Sequence, residues 1–295
     1  VTTVDLHQHL WPQRFIHLLG AREEPPCHRD GTLVTVEGSF PLDLGRHDPE
    51  RRLAELDRDR VDVAVLSLQA SLGLELLPSA ERAALEEAWT EGADELVAAS
   101  GGRFRALAPW RIVPGFAGIS VGTSALLVAG GSPVLAEAEA AGVPVLVHPE
   151  AELAPAATRP AWWPWVAGYT GQVQRAFLAW LADGRTRHPA LRIVFAGLAG
   201  GALAHAGRLA QAGVDLGAPD PDTLFETSTC DAAAVGLALA IVGADRVAYG
   251  SDTPVVDPRA TLAAVHALDE RARWHVLGGT AARLLGDGAT SSGAA

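Results

Sequence analysis

The chain has 295 residues, 48% hydrophobic and 20% charged, which describes a well-buried globular protein and excludes a disordered one. Its formal charge is −12 and all 23 basic residues are arginine; without a basic cluster, neither nucleic acid nor a membrane surface is an expected partner. The absence of lysine removes Schiff-base chemistry, a P-loop and a carboxylated lysine bridging two metals.

No apolar run is long enough to span a bilayer, and the run from the first residues straight into a strand, without a basic and apolar leader pattern, makes a cytosolic rather than a secreted chain the expectation. Cys27 and Cys230 are the two cysteines and lie far apart, so the expected location is a reducing cytoplasm. Val4–His9 reads as a short buried strand, followed by Leu10-Trp11-Pro12 and a polar, proline-rich stretch to about Asp48. Within it, Thr32–Val36 and Ser39–Leu44 are expected to pair around Glu37-Gly38, as a flap inserted over residues 17–47. A helix is predicted from Pro49 to Arg60, then a β-branched strand to Ser67. Ser79 is expected to cap a helix to Ala99, and Phe104–Trp110 is a third strand.

The alternation continues with an apolar fourth strand at Ser124–Val128, a helix at Pro133–Ala141 and a strongly buried strand at Val143–His148. A loop rich in tryptophan (Trp162, Trp163, Trp165) runs to Tyr169, and a helix follows over Gln172–Arg187. Strands at Leu191–Ala196, Leu224–Thr229 and Arg246–Tyr249 alternate with helices at Leu203–Ala212 and Ala232–Val242. Helices at Pro258–Leu268 and Glu270–Leu285 close the chain, and 286–295 reads as a disordered tail. Eight strand candidates separated by helices predict parallel pairing in a single-domain (β/α)8 TIM barrel. A doubly wound sheet is the rival; it would carry a Gly-rich turn where this chain has His-Gln-His-Leu-Trp-Pro.

In such a barrel the C-terminal strand ends converge on one mouth. His7 and His9 end strand one, His148 ends strand five, and Asp252 follows strand eight. Three imidazoles and a carboxylate at one rim suit a single divalent ion, zinc first and manganese second. Trp110-Arg111 follows strand three, so Arg111 either pairs with a substrate carboxylate or is a surface arginine. Trp11, Trp162, Trp163, Trp165 and Tyr169 either wall a flat apolar substrate, pack the rim loops together or form a homodimer contact, and Trp11, Trp110, Trp163 and Tyr169 are the aromatic substrate-binding candidates. Glu150 is a proton relay or a helix cap, and Cys230 a buried inert thiol.

At this point the chain resembles a known family. Asp5-Leu6-His7-Gln8-His9, Val147-His148-Pro149-Glu150, Gly250-Ser251-Asp252-Thr253-Pro254 and Thr280-Ala281-Ala282-Arg283-Leu284-Leu285 are similar, in order, to motifs of the amidohydrolase-related family. Leu53-Ala54-Glu55-Leu56-Asp57 and Ala206-Gly207-Arg208-Leu209 also match. The family comprises cytosolic metal-dependent barrels that hydrolyse amides or lactones, or decarboxylate unsaturated and aromatic acids without oxidation; it includes aminocarboxymuconate semialdehyde decarboxylase. The resemblance implies that His7, His9, His148 and Asp252 hold one zinc or similar ion.

One departure is prominent. After strand six the family has a histidine, followed by a Gly-Gly pair, that orients and deprotonates the water at the metal. Here the stretch is Ala196-Gly197-Leu198-Ala199-Gly200-Gly201, which puts Gly197 in the histidine's place, enlarging the substrate pocket there. His205 falls two turns on. The closing helix has Thr280 where asparagine is usual. The function expected first is hydrolysis of an amide or lactone in a small carboxylated or cyclic substrate, with Asp252 as proton acceptor and Glu150 second. Decarboxylation of an unsaturated or aromatic acid is the close alternative. A barrel that has lost catalysis and binds a small ligand is the third, favoured by Gly197.

Overall fold

The computed structural model describes residues 2–152, 160 and 162–286. Strand β1 (Val4–Gln8) leads into helix α1 (Gln13–Gly20) and a three-stranded antiparallel flap of β2 (Cys27–Arg29), β3 (Thr32–Thr35) and β4 (Gly38–Pro41). The remaining strands are β5 (Val63–Ser67), β6 (Phe104–Pro109), β7 (Gly118–Gly122), β8 (Val145–His148), β9 (Ile193–Phe195), β10 (Thr223–Glu226) and β11 (Val247–Ala248). With β1 they make an eight-stranded parallel sheet in chain order. The sheet closes on itself: the Leu6 N–H reaches the Tyr249 carbonyl at 2.9 Å, and the Asp252 N–H the His7 carbonyl at 2.8 Å. This is the (β/α)8 barrel expected from the alternation.

Side chains from alternate positions fill the barrel: Val4, Leu6, Val63, Val65, Leu107, Leu146, Val194, Leu224 and Ala248 pack as one cluster, to which the closing helix adds Ala281 and Leu284. The other strand faces, with Ala64, Leu66, Val147, Phe195 and Phe225, meet the helices in a second and larger cluster. Two apolar faces per strand explain why the strands read as continuous apolar runs.

The fourth strand differs from expectation. It is Gly118–Gly122, and Ser124–Val128 overlaps a 3-10 turn, Thr123–Leu126. A Cβ at Gly118 would stand 2.5 Å from the Pro144 carbonyl, so packing against β8 demands glycine where strand propensity disfavours it. Helix α1 also lies where no element was expected; its buried Phe15, Ile16 and Leu19 share one face. The flap hairpin turns at Val36-Glu37 and has β2 as a third strand.

The helices around the wall include α2 (Pro49–Asp59), capped by the Asp48 side chain on the Arg51 N–H with proline at the first turn, α3 (Ser79–Ala99), α4 (Pro133–Ala141) and α5 (Thr170–Ala179). Ser79 is the first helical residue of α3 and makes no side-chain cap. Among the described residues no helix is long and apolar enough to cross a membrane.

Candidate metal centre

Regular alternation along β1 would turn His7 away from the barrel interior, because Leu6 faces inward. The β1–β5 register shifts between Asp5 and Gln8, and such irregularities re-aim side chains near sites. Buried Asp5 holds the turn. Its Oδ1 accepts from the His7 N–H at 3.2 Å and the Ser251 N–H at 3.0 Å, and its Oδ2 accepts from Gln8 Nε2 at 2.8 Å. The same carboxylate therefore ties the first histidine to the loop that carries Asp252.

His7, His9, His148 and Asp252 then converge, one ligand atom from each lying within 4.8 Å of all the others. The three imidazole centroids are 4.9, 5.0 and 5.1 Å apart, each pair close to perpendicular. His9 Nε2 stands 3.0 Å from Asp252 Oδ1 and 3.2 Å from His7 Nε2. Asp252 adopts φ +60°, a left-handed conformation that aspartate tolerates better than most residues and that turns its carboxylate back to the histidines.

Each Nδ1 has an acceptor. His9 meets the Ser67 carbonyl at 2.9 Å, His148 the Pro149 carbonyl at 2.7 Å, and His7 the Glu226 carboxylate at 3.0 Å. A carbonyl only accepts, so the proton of neutral His9 and His148 sits on Nδ1 and the Nε2 lone pair faces the centre. Burial lowers the pKa of His9 and takes that of His148 well below the ordinary value. Burial also disfavours charge on His7, yet the Glu226 charge and hydrogen bond outweigh it and lift its pKa to about 9. Burial opposes ionisation of Asp252 too, but the His9 hydrogen bond and the histidine charges hold its pKa below the ordinary value. His9 and His148 offer neutral nitrogens and Asp252 an ionised carboxylate, which a divalent cation selects, and His7 would give up its Nε2 proton to such an ion, so the residues present fit it.

Behind the centre, α2 sends the buried guanidinium of Arg52 to the Gln8 side chain at 2.9 Å, the His9 carbonyl at 3.2 Å and the Arg46 carbonyl at 3.0 Å. Glu226, at the end of β10, supports His7. Neither Arg52 nor Glu226 was singled out in the sequence. Both look ordinary there, and only contacts across the fold reveal them.

Other expected site residues are placed differently. Trp11 is buried, stacks on His47 at 4.3 Å and donates Nε1–H to Gln69 at 2.7 Å, so its ring is committed to packing. Trp110 is partly buried against the outer core. Arg111 is exposed and acts electrostatically on Glu86 of α3. Glu150 accepts from the Ser124 N–H and Oγ–H at 2.7 Å each and from Thr123 Oγ at 3.0 Å. Its carboxylate is occupied holding the turn after β7. Burial pushes the Cys230 thiol up to about 12, consistent with an inert group. Gly197 has φ +54° and begins a run of left-handed residues through Gly201; its N–H meets Glu226 Oε1 at 2.8 Å. His205 is exposed and does not fill the place. The tryptophan loop is described at Pro160 and from Trp162 onward.

Tyr169 is set against the flap. Its hydroxyl donates to Glu37 at the flap tip at 2.5 Å, and the second Glu37 oxygen takes the Glu152 N–H at 2.5 Å. Beside them, burial and then the charges of Glu150 and Glu37 raise Glu75 from the ordinary 4.5 to about 7. The folded state therefore binds this proton more tightly than the unfolded chain. Stability from it is complete below pH 4.5 and disappears as pH rises through about 7. Glu75→Gln should leave stability unchanged at the acid end and raise it at pH 8 by about 1 kcal/mol, discounting for solvent screening of a partly exposed group. Urea midpoints at the two pH values test this; equal midpoint shifts at both would contradict it.

A family model described as Amidohydrolase matches residues 111–286. The chain belongs to that family. No curated protein matches its sequence significantly. Among solved structures, this chain is similar to 5-carboxyvanillate decarboxylase from Sphingomonas paucimobilis, at 20% identity and TM-score 0.73 over 96% of this chain and 98% of that one. It is similar to 2,6-dihydroxybenzoate decarboxylase from Rhizobium at 21% identity and TM-score 0.68, with 96% and 98% covered. A dihydroxybenzoic acid decarboxylase from Polaromonas sp. JS666, solved with bound manganese and the inhibitor 2-nitroresorcinol, matches at 18% identity and TM-score 0.68 over 96% of each chain. These likenesses are in fold.

Proposed function

We propose that the chain is a divalent-metal-dependent decarboxylase of a small unsaturated or aromatic carboxylic acid. The observation that carries this is the centre itself, three imidazoles and one carboxylate that fit a single cation, set in a barrel whose fold is shared with three decarboxylases, one of them solved with manganese. Hydrolysis of an amide or lactone needs a base to activate water. Non-oxidative decarboxylation needs charge stabilisation and the return of one proton to carbon, and the similar folds of three decarboxylases point the same way. The hydrolytic reading expected first from the sequence thus becomes the second.

His7, His9, His148 and Asp252 would hold the ion, zinc or manganese, the latter being the metal in the Polaromonas structure. Bound there, it supplies Lewis-acid stabilisation of negative charge on the substrate. The chain's own groups do the rest. Asp252 keeps Oδ1 against His9 and has Oδ2 to take the substrate's acidic proton. The carbon–carboxylate bond breaks, carbon dioxide leaves, and the electron pair left on carbon takes that proton back from Asp252. Tyr169, fixed by Glu37, borders the substrate on the flap side and excludes water.

The test is a panel of hydroxylated aromatic and unsaturated acids with zinc or manganese, run in deuterium oxide. The expected result is metal-dependent release of carbon dioxide with one deuterium at the vacated carbon, abolished by a chelator. Turnover of lactones or amides with no carbon dioxide released would overturn the proposal in favour of hydrolysis.

A further inference from the structure

We infer that Glu226 is a positioning residue that sets the affinity of the metal centre through His7, and that the Gly197 amide and Gly250 are arranged to seat it. This rests on reading His7, His9, His148 and Asp252 as metal ligands.

Of the three Nδ1 acceptors, two are backbone carbonyls and one is a carboxylate. Glu226 is fully buried, and an ionised carboxylate in that position is costly without compensation. Four donors surround it. Oε1 takes His7 Nδ1 at 3.0 Å, the Gly197 N–H at 2.8 Å and the Ser228 hydroxyl at 2.6 Å, and Oε2 takes the Ser228 N–H at 2.6 Å. Among the described residues, its only ion-pair partner is His7. Neutral donors stabilise the anion locally, but the positive charge it is built to face lies along the His7 ring. A carboxylate on the far nitrogen of a ligating histidine fixes the ring's orientation and raises the basicity of the ligating nitrogen.

Two glycines show that the surroundings accommodate this one side chain. A Cβ on Gly250 would stand 2.0 Å from Glu226 Oε2 and 3.1 Å from the His7 Cβ. The glycine of Gly250-Ser251-Asp252 therefore leaves room for Glu226 immediately before the chain delivers Asp252. Gly197 turns its N–H onto Oε1 from a left-handed conformation, φ +54°. The residue that departs from the family motif and the residue that opens the Asp252 motif thus meet on the same carboxylate. The resulting assembly is strand-seven carboxylate, strand-one imidazole, then cation.

Glu226→Gln keeps the shape but places an amide N–H2 among groups that are all donors, so His7 loses its charged acceptor. Affinity for Mn2+, measured by competition with a fluorescent chelator, should fall 10- to 100-fold relative to the unchanged chain. The visible absorption of the Co2+-loaded protein should change in band position, which a role in folding alone would not produce. Gly250→Ala, which displaces the carboxylate while retaining its charge, should weaken Mn2+ binding in the same direction. Ser228→Ala, which removes one neutral donor, should weaken it by only a few-fold and serves if Glu226→Gln does not fold. Unchanged Mn2+ affinity and an unchanged Co2+ spectrum in folded Glu226→Gln would overturn the inference while leaving the metal centre intact. So would wild-type affinity in both Gly250→Ala and Ser228→Ala if Glu226→Gln does not fold. A wild-type chain that binds neither Mn2+ nor Co2+ would instead overturn the metal reading itself.

Discussion

Asp252→Ala and His9→Ala should each leave a chelator-free purification without a bound divalent ion, where the wild-type chain carries about one per molecule. Asp252 is the only carboxylate in the group of four, and His9 Nε2 lies within 3.2 Å of both His7 Nε2 and Asp252 Oδ1. Removing Asp252 leaves three imidazoles with no anion among the ligands; removing His9 opens the centre of the group. Lewis-acid stabilisation is worth several kcal/mol in the transition state, so turnover should drop by at least about 10³-fold. Elemental analysis of all three proteins gives the stoichiometry and separates zinc from manganese. Stoichiometric metal in both variants would show that the ligands lie elsewhere. Adding metal to the metal-free wild type should also raise its melting temperature, because an ion that binds only the folded state stabilises it by mass action. Neither variant should show that response.

The ligand set was legible because a barrel converts sequence position into space. Any residue at a C-terminal strand end reaches the mouth, so His7, His9, His148 and Asp252 could be gathered without coordinates. The way His7 gets there was not legible, since it depends on a register shift pinned by Asp5, whose partner Ser251 is 246 residues away. Strand four was misplaced for a related reason: the pressure that makes Gly118 a glycine comes from Pro144, the residue just before β8. Trp11 read as a rim aromatic because it follows a ligand, yet the shell between strands and helices also needs large apolar groups, and there it packs. Glu226 gave no signal at all. A lone glutamate at the end of an apolar strand looks like a solvated strand end, and its meaning appears only when His7, 219 residues away, lies against it.

Gly197→His should yield a folded, metal-retaining protein that gains hydrolytic activity and loses decarboxylation. Within 4 Å, a Cβ at this position meets only the Ser228 carbonyl, at 3.7 Å, which is ordinary contact. The φ of +54° is a mild obstacle: histidine is among the residues enriched in the left-handed region, and a cost of about 1–2 kcal/mol is expected. That corresponds to a fall in melting temperature of several degrees for a chain of this size. Because the backbone N–H of residue 197 remains, Glu226 keeps that donor, and metal content should stay near the wild-type value. An imidazole here restores the residue type found in the family after strand six. General-base assistance of this kind contributes on the order of 10²–10⁴ in rate, so hydrolysis of small esters or lactones should rise toward that range. The same side chain occupies space next to the carboxylate that supports His7, so KM for the decarboxylation substrate should increase while the Mn2+ affinity does not change. Steady-state kinetics on both substrate classes, with metal analysis of the same preparations, decide the matter. Improved decarboxylation without any hydrolytic gain would show that the space at Gly197 is not part of the substrate site, and that the missing imidazole does not account for the preference proposed for this enzyme.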